Sequence, residues 1–327
     1  MHVLVTGGAG FIGSHLIKKL RKQNHDVDAI DNYSAGEASR RREKELEADE
    51  KVEVWNQDVD DMRMVLNMIK VRKNLKHKDP SPAVDAIVHL AAPISVEESV
   101  RNPLKYCNEI YGKTIHLLEA ARLGNIRKMV IASTAAVYGS NDRLPTSEHA
   151  RTEPLSPYAI SKLAAEGIAR MYAREHGIET AILRFFNVYG PDQNPSSGYS
   201  GVISNFMSQA KKKQQFTIFG DGKQTRDFVY VEDICDAIIA ALTKKFEPGI
   251  VVNIGSGKET AILELAEKIA KVSGTAFKVE HKEPRKEDIP HSQASIERAK
   301  KLLDYEPKVS LEEGLKKTWD WFREYKG

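Results

Sequence analysis

The stretch TGGAGFIGSHL, residues 6–16, joins an apolar, β-branched run to a segment with helical periodicity. Strand, glycine-rich turn and helix in that order open a βαβ unit. Gly7, Gly10 and Gly13 satisfy G-x-x-G-x-x-G, and Gly8, Gly10 and Gly13 satisfy G-x-G-x-x-G. Glycines so spaced permit a tight turn and bring the backbone and the positive end of the helix close to a pyrophosphate. The loop therefore predicts a dinucleotide-binding fold. Asp31 ends the second apolar run, about 20 residues further on, where a carboxylate accepts hydrogen bonds from the adenosine ribose. It would repel a 2′-phosphate, which favours NAD over NADP, while Arg40, Arg41 and Arg42 argue the other way.

Runs of this kind recur at 3–7, 27–31, 52–56, 85–92, 128–134 and 180–187, separated by helical stretches. Near-continuous apolar character suits strands covered on both faces. Their alternation with helices predicts an α/β chain, a Rossmann-type doubly wound parallel sheet. Beyond residue 187 the texture changes to turn-rich segments such as YGPDQNPSSGYSG and FGDGKQTRDF. We expect an NAD-binding domain over 1–180 and a smaller α/β substrate-binding lobe over 181–327, with segments such as VVNIGSG (251–257) returning to the first sheet. Ser310 and Glu313 form a capping box before a closing helix with Leu311, Leu315, Trp319 and Phe322 at helical spacing.

Composition excludes several classes of function. Forty-nine basic and 46 acidic residues leave a formal charge of +3, which recommends neither a nucleic-acid footprint nor a membrane patch. No run approaches the roughly 20 apolar residues of a membrane span. The start MHVLVTGG shows no targeting pattern, and a soluble, cytoplasmic protein is expected. Cys107 and Cys235 have no metal spacing and read as buried small apolar residues. The histidines are scattered, so no metal site is predicted. The charge runs at 39–51 and 70–79 read as solvated surface.

In SPYAISKLAAEGIAR, residues 156–170, Tyr158 and Lys162 stand four apart on a helix and so share a face. A cation beside a phenol favours tyrosinate, which would let Tyr158 act as a base near neutral pH. Alone, the pattern is weak and reads first as two side chains that share a solvated face.

Taken together, the glycine loop, ASTAAVYG (132–139) and Y-x-x-x-K resemble the extended short-chain dehydrogenase/reductase family, and within it the UDP-sugar 4-epimerases, the UDP-glucose and UDP-N-acetylglucosamine 4-epimerase group. LRFFNVYGP, SGVISNF, FTIFGDGKQTRDFVYVED and PRKEDIPHSQASIERAKKLL follow in the group's order, so the likeness spans nearly the whole chain. The resemblance implies a catalytic set of Thr134, Tyr158 and Lys162. It implies NAD contacts from Gly7, Gly10, Phe11, Ile12, Gly13, Asp31, Asn32, Gly36, Asp58, Val59, Leu90, Ala91 and Ala92, with Tyr158 and Lys162 also touching the cofactor. It assigns the substrate to Thr134, Asn187, Val202, Phe219, Arg226, Arg285, Asp288 and Ser292. An arginine fork suits a diphosphate. In that group the position of Ser292 borders the substituent at C2 of the sugar, and a small side chain there leaves room for an acetamido group.

Two departures stand out. Ile110 occupies a position where relatives have asparagine, with Asn108 two residues early, and the stretch 66–84 is longer than usual and reads as a surface loop. Dehydratases and decarboxylases of the family have acidic residues after the threonine, where this chain has Ala135 and Ala136. The resemblance thus implies reversible oxidation of a UDP-hexose at C4 through a 4-keto sugar, by a homodimer built on helices near 98–123 and 157–175. The alternatives are another NAD-dependent nucleotide-sugar enzyme, or a dinucleotide sensor that performs no chemistry.

Overall fold

Strands that are apolar on both faces need helices on both sides, and that requirement organises the structure. The computed structural model describes residues 1–70, 84–141, 143–193, 201–284 and 288–325. In chain order the structure runs β1 (His2–Thr6), α1 (Phe11–Lys22), β2 (Asp26–Asp31), α2 (Glu37–Leu46), β3 (Val52–Asn56), α3 (Met62–Lys70) and β4 (Ala86–His89). Then come α4 (Val96–Arg101), α5 (Pro103–Tyr106), a π-helical segment (Cys107–Gly112), α6 (Lys113–Leu123), β5 (Lys128–Thr134), α7 (Pro157–His176) and β6 (Glu179–Phe185). The remainder comprises β7 (Asn187–Tyr189), α8 (Val202–Lys211), β8 (Phe216–Phe219), β9 (Thr225–Arg226), β10 (Phe228–Tyr230), α9 (Val231–Thr243) and β11 (Ile250–Ile254). It closes with β12 (Thr260–Ala261), α10 (Ile262–Ser273), β13 (Val279–Lys282), α11 (Glu297–Leu303) and α12 (Leu311–Glu324).

The main sheet has seven strands in the order β11-β6-β5-β4-β1-β2-β3, with β3, β2, β1, β4 and β5 paired in parallel. From β3 to β6 this is the dinucleotide-fold order, and the order reverses between β1 and β4, where such sheets bind their ligands. The predicted Rossmann-type sheet is thus present, and VVNIG does return to it as β11.

The chain forms two compact units, one of Met1–Val137, Ser156–Arg184 and Cys235–Val252, the other of Tyr138–Leu155, Phe185–Ile234 and Asn253–Gly327. In the first, Leu4, Ile87, Met129, Ile131 and Ile182 from the strands pack with Val65, Ile69, Leu117, Leu118 and Tyr172 from α3, α6 and α7. In the second, β7 pairs with β10, β9 with β12, and β8 with β13. Phe206 and Phe216 meet edge to face at 5.5 Å there, and Lys211 Nζ donates to the Phe322 carbonyl at the end of α12.

Four expectations need correction. Cys107 is exposed, because the π-helical segment turns it away from the core, while Cys235 is buried. Within the charge run at 39–51, Arg42 is only 2% exposed, because with Ser39 and Leu46 it forms the buried face of α2. Residues 66–70 belong to α3, which buries Met68 and Ile69, and 71–83 lie outside the described residues. The Ser310 hydroxyl caps α12 by accepting from the Glu313 N–H at 3.2 Å, but the Glu313 carboxylate pairs with Lys317 at 2.9 Å.

His89 closes β4 with both ring nitrogens engaged, Nδ1 2.8 Å from Thr6 Oγ1 and Nε2 3.2 Å from Thr114 Oγ1. Burial, with a smaller push from the Lys162 charge, holds its pKa down to about 3 from an ordinary 6.5. The unfolded chain therefore binds a proton here that the folded chain refuses, and stability is lost as pH falls from about 6.5 towards 3. His89→Asn should remove up to about 1.4 kcal/mol of that loss per pH unit in the window. Urea unfolding at a series of acidic pH values checks it, and an unchanged slope would refute it.

Candidate functional site

The first unit builds a glycine cradle at the C-terminal ends of β1 and β4. Gly7 has φ +70°, and a Cβ there would stand 2.8 Å from the Ala91 backbone nitrogen. A Cβ on Gly13 would collide with the Gly7 carbonyl oxygen and with Gly8. Only hydrogen fits at these points, so the loop lies directly on the start of α1 and on the turn after β4. Gly10 is the N-cap of α1 and offers no side chain, so the first N–H groups, from Phe11 onward, have no side-chain cap. A glycine cradle ending at such a helix start suits a pyrophosphate. Leu90 donates its N–H to the Thr6 carbonyl at 3.1 Å and Ala91 donates to Thr6 Oγ1 at 3.3 Å, which holds the Leu90–Ala92 turn beside the loop.

Asp31, at the end of β2, accepts from the Ala9 N–H at 3.0 Å and the Tyr33 N–H at 2.8 Å. Burial pushes its carboxyl up, opposed by those two N–H groups and by the Arg42 charge. Arg42 itself donates to the Ala9 carbonyl at 3.0 Å. It thus braces the glycine loop and balances Asp31. Arg40 lies 3.8 Å above the Tyr33 ring, and Arg41 pairs with Glu45 at 3.6 Å. These engagements weaken the case for a 2′-phosphate site.

Gly36, with φ +74°, is the N-cap of α2. Asn32 donates to Asp58 at 2.8 Å, and Lys113 Nζ reaches both Asp58 and Glu109 at 2.7 Å. Burial raises the Asp58 carboxyl, but the bonds from Lys113 and Asn32 outweigh it and hold the group below its usual range. Val59 beside it is buried.

Thr134 ends β5, and Tyr158 and Lys162 stand on α7, whose start is fixed by Ser156 accepting from the Ala159 N–H at 3.2 Å. Both side chains are buried, so the solvated-face reading fails. Tyr158 stands edge-on to Tyr106 at 6.5 Å and packs with Ile110 and Ala165, against which Ala92 and Ala136 also lie. Ile110 therefore backs the phenol, and Asn108 is exposed. Burial raises the Tyr158 pKa, with Thr134 opposing. The expected depression by Lys162 is not what sets the phenol, because Lys162 Nζ donates to the Ala132 carbonyl at 3.0 Å. Burial holds Lys162 itself down to about 8, with Glu166 opposing.

The second unit holds the other assigned residues. Arg226 forms an ion pair with Asp288 and donates to the Thr225 carbonyl at 2.6 Å. The Asn187 side chain is on an exposed residue, and its N–H donates to the Asp227 carbonyl at 2.9 Å, which sets Asn187 beside the Arg226 strand. Val202 opens α8 and Phe219 closes β8, both half-buried, while Ser292 is buried. Arg285 lies outside the described residues.

Sequence reasoning passed over Lys113, Ser133, Glu166 and Arg184, and took Arg42 only as a candidate for a 2′-phosphate. The one signal for Arg42 was its spacing from Ser39 and Leu46. For Arg184 it was a cation inside a run of apolar residues.

The sequence profile of the NAD dependent epimerase/dehydratase family matches residues 3–255. A putative UDP-glucose 4-epimerase of Methanocaldococcus jannaschii is 40% identical over 322 residues, 98% of each chain. UDP-N-acetyl-alpha-D-glucosaminuronate decarboxylase of Bacillus cytotoxicus is 33% identical over 333 residues, covering 98% of this chain and 97% of that one. Among solved structures, UDP-glucose 4-epimerase of Thermotoga maritima with UDP-glucose superposes with a TM-score of 0.89, at 35% identity and 99% coverage of both chains.

Gly13→Ala should displace the loop and weaken NAD binding by more than about tenfold, or 1.4 kcal/mol. Equilibrium dialysis with NAD measures it, and an unaltered Kd would show that the loop has room the geometry denies.

Proposed function

The chain belongs to the NAD dependent epimerase/dehydratase family, and from that premise we propose that it interconverts UDP-hexoses epimeric at C4 through a transient 4-keto sugar. The observation that supports this most is the burial of Tyr158 and Lys162, one turn apart on α7, with Thr134 ending β5. A phenol shielded from water is equipped to exchange a proton with a sugar hydroxyl. Tyr158 takes the proton of the 4-hydroxyl, Thr134 holds the same oxygen, and Lys162, anchored on the Ala132 carbonyl, contacts the cofactor ribose. Bound NAD supplies the acceptor, and then the donor, of the C4 hydride. The proton returns from Tyr158 after the keto sugar has presented its other face.

Arg226, Arg285 and Asp288 grip the nucleotide in this reading, with Asn187 and Arg226 near the diphosphate, so remote binding energy positions a loosely held sugar. Val202 and Phe219 border the uracil, and Ser292 leaves space for an N-acetyl group. Both UDP-glucose and UDP-N-acetylglucosamine are then substrates. Decarboxylation and dehydration need an acid near the sugar. Ala135 and Ala136 occupy the turn directly after Thr134, where the Ala136 N–H donates to Thr134 Oγ1 at 3.1 Å.

Incubation with each nucleotide sugar, followed by NMR of the product anomeric protons, tests the function. Tyr158→Phe should bind NAD normally and lose about 100-fold to 10,000-fold in kcat. Comparable turnover would remove Tyr158 from the mechanism, and NAD binding without turnover on either sugar would favour the sensor.

We also propose a cytoplasmic homodimer. Val96, Val100, Leu104 and Tyr111 on α4, α5 and the π-helical segment, and Ile160 on α7, expose large apolar side chains on segments that pack together. A second copy of the same face would cover them in a helical bundle. Light scattering at micromolar concentration should give twice the monomer mass of 36.6 kDa, and a monomer would refute it.

A further inference from the structure

One buried carboxylate lies beside the catalytic set without belonging to it. Glu166, 3% exposed, stands on α7 one turn beyond Lys162. Its Oε1 accepts from Arg184 Nε at 2.9 Å and its Oε2 from Arg184 Nη2 at 2.6 Å, a bidentate pair across to β6. The Ser133 hydroxyl donates to Oε1 as well. Ser133 immediately precedes Thr134, so this bond fastens α7 to the residue next to the catalytic hydroxyl. Lys162 bonds the neighbouring Ala132 carbonyl from the same helix. Helix and strand are therefore joined twice, at the two residues that precede Thr134.

Resting on the reading of Thr134, Tyr158 and Lys162 as catalytic, we infer that Glu166 is their positioning residue: through Ser133 it fixes Thr134 against α7, and through its charge it keeps Lys162 protonated. A bidentate, fully bonded carboxylate is rigid, and an opposite charge in a low-dielectric interior favours the cationic form of a neighbouring lysine. The chain spends a buried ion pair at this place, where an apolar pair of equal volume would often be as stable.

Tyr158 and Glu166 stand one turn to either side of Lys162 on its own helix, His89 of β4 feels the Lys162 charge, and Arg184 of β6 is bound to Glu166. Further groups on the segments packed against α7 are Tyr106, Cys107, Glu119 with Arg122, and the Glu98–Lys105 and Glu109–Lys113 pairs. His89 is neutral in the working pH range and Arg184 is bound to Glu166. Glu166 is the group that opposes the effect of burial on Lys162, which stands at about 8.

The test follows the Lys162 ¹³Cε resonance of ¹³C-lysine protein against pH, the signal being identified by its loss in K162M. Glu166→Gln should move that titration down by roughly one pH unit or more, and the alkaline limb of kcat/KM should move with it. Ser133→Ala keeps both charges, so it should lower kcat several-fold and leave the lysine titration in place. If E166Q fails to fold, judged by circular dichroism, the apolar pair E166M/R184M replaces it and is expected to show the same downward direction. An unmoved Lys162 titration in the folded variant overturns the charge role, and full activity in S133A overturns the tether. Failure of both Glu166 variants to fold would make the residue a determinant of the fold alone and overturn the inference. Tyr158→Phe runs as a parallel control: if it retains activity the catalytic reading fails, while the lysine titration still reports on Glu166 independently.

Discussion

The close approach of three backbone segments around Gly7, Gly13 and Ala91 governs the first unit. The turn after β1 lies against the first turn of α1 on one side and against the turn after β4 on the other, with no room for a β-carbon at the contacts. Such contact is possible only where neighbouring strands send their connections to opposite faces, which is the condition met between β1 and β4. The crevice that results is lined by backbone. Its walls present N–H groups and a helix end, so an anion is held by main-chain dipoles that no side-chain rearrangement can remove.

Three buried polar groups each meet several partners. Asp31 has two N–H groups and the Arg42 charge. His89 has a hydroxyl on each side. Asp227 in the second unit accepts from the N–H groups of Ser256, Gly257 and Ala294 and from the Ser256 hydroxyl, at 2.7–3.0 Å. An unpartnered buried acceptor costs about 1–3 kcal/mol, so these sites define the loop geometry more strictly than apolar packing does. Each also holds a segment that the proposed chemistry requires: Asp31 the glycine loop, His89 the turn after β4, Asp227 the strand of Arg226.

The sheet and the dinucleotide loop were legible because both are local statements. Near-continuous apolar runs specify strands, and the glycine spacing specifies a turn whatever the rest of the chain does. The buried charges were not legible, since their meaning depends on residues far away in sequence. Arg42 sits in a run of charges, and only its partner Ala9, 33 residues earlier, shows it to be internal. Glu166 and Arg184 are 18 apart, and each alone looks like a surface residue. Lys113 stands in a segment that departs from its relatives, and its partner Asp58 is 55 residues away. The four-residue spacing of Tyr158 and Lys162 did mark a shared face, but the ammonium found a backbone carbonyl on β5, which no helical periodicity reports.

The edge strand β11 places a constraint on the birth of the molecule. It joins β6 in the main sheet although β6 ends at Phe185 and β11 begins at Ile250. The intervening residues belong largely to the other unit. During synthesis the emerging chain therefore has β6 as an open edge until residues 235–252 have left the ribosome, at about 5–20 residues per second. For those seconds the nascent sheet exposes a row of unpaired N–H and C=O groups on a strand buried in the finished protein, the condition under which chains pair with one another. The order in which the sequence is written thus makes the last strand of the first unit a closure step, and the interval before it the period of greatest exposure to aggregation and to chaperones.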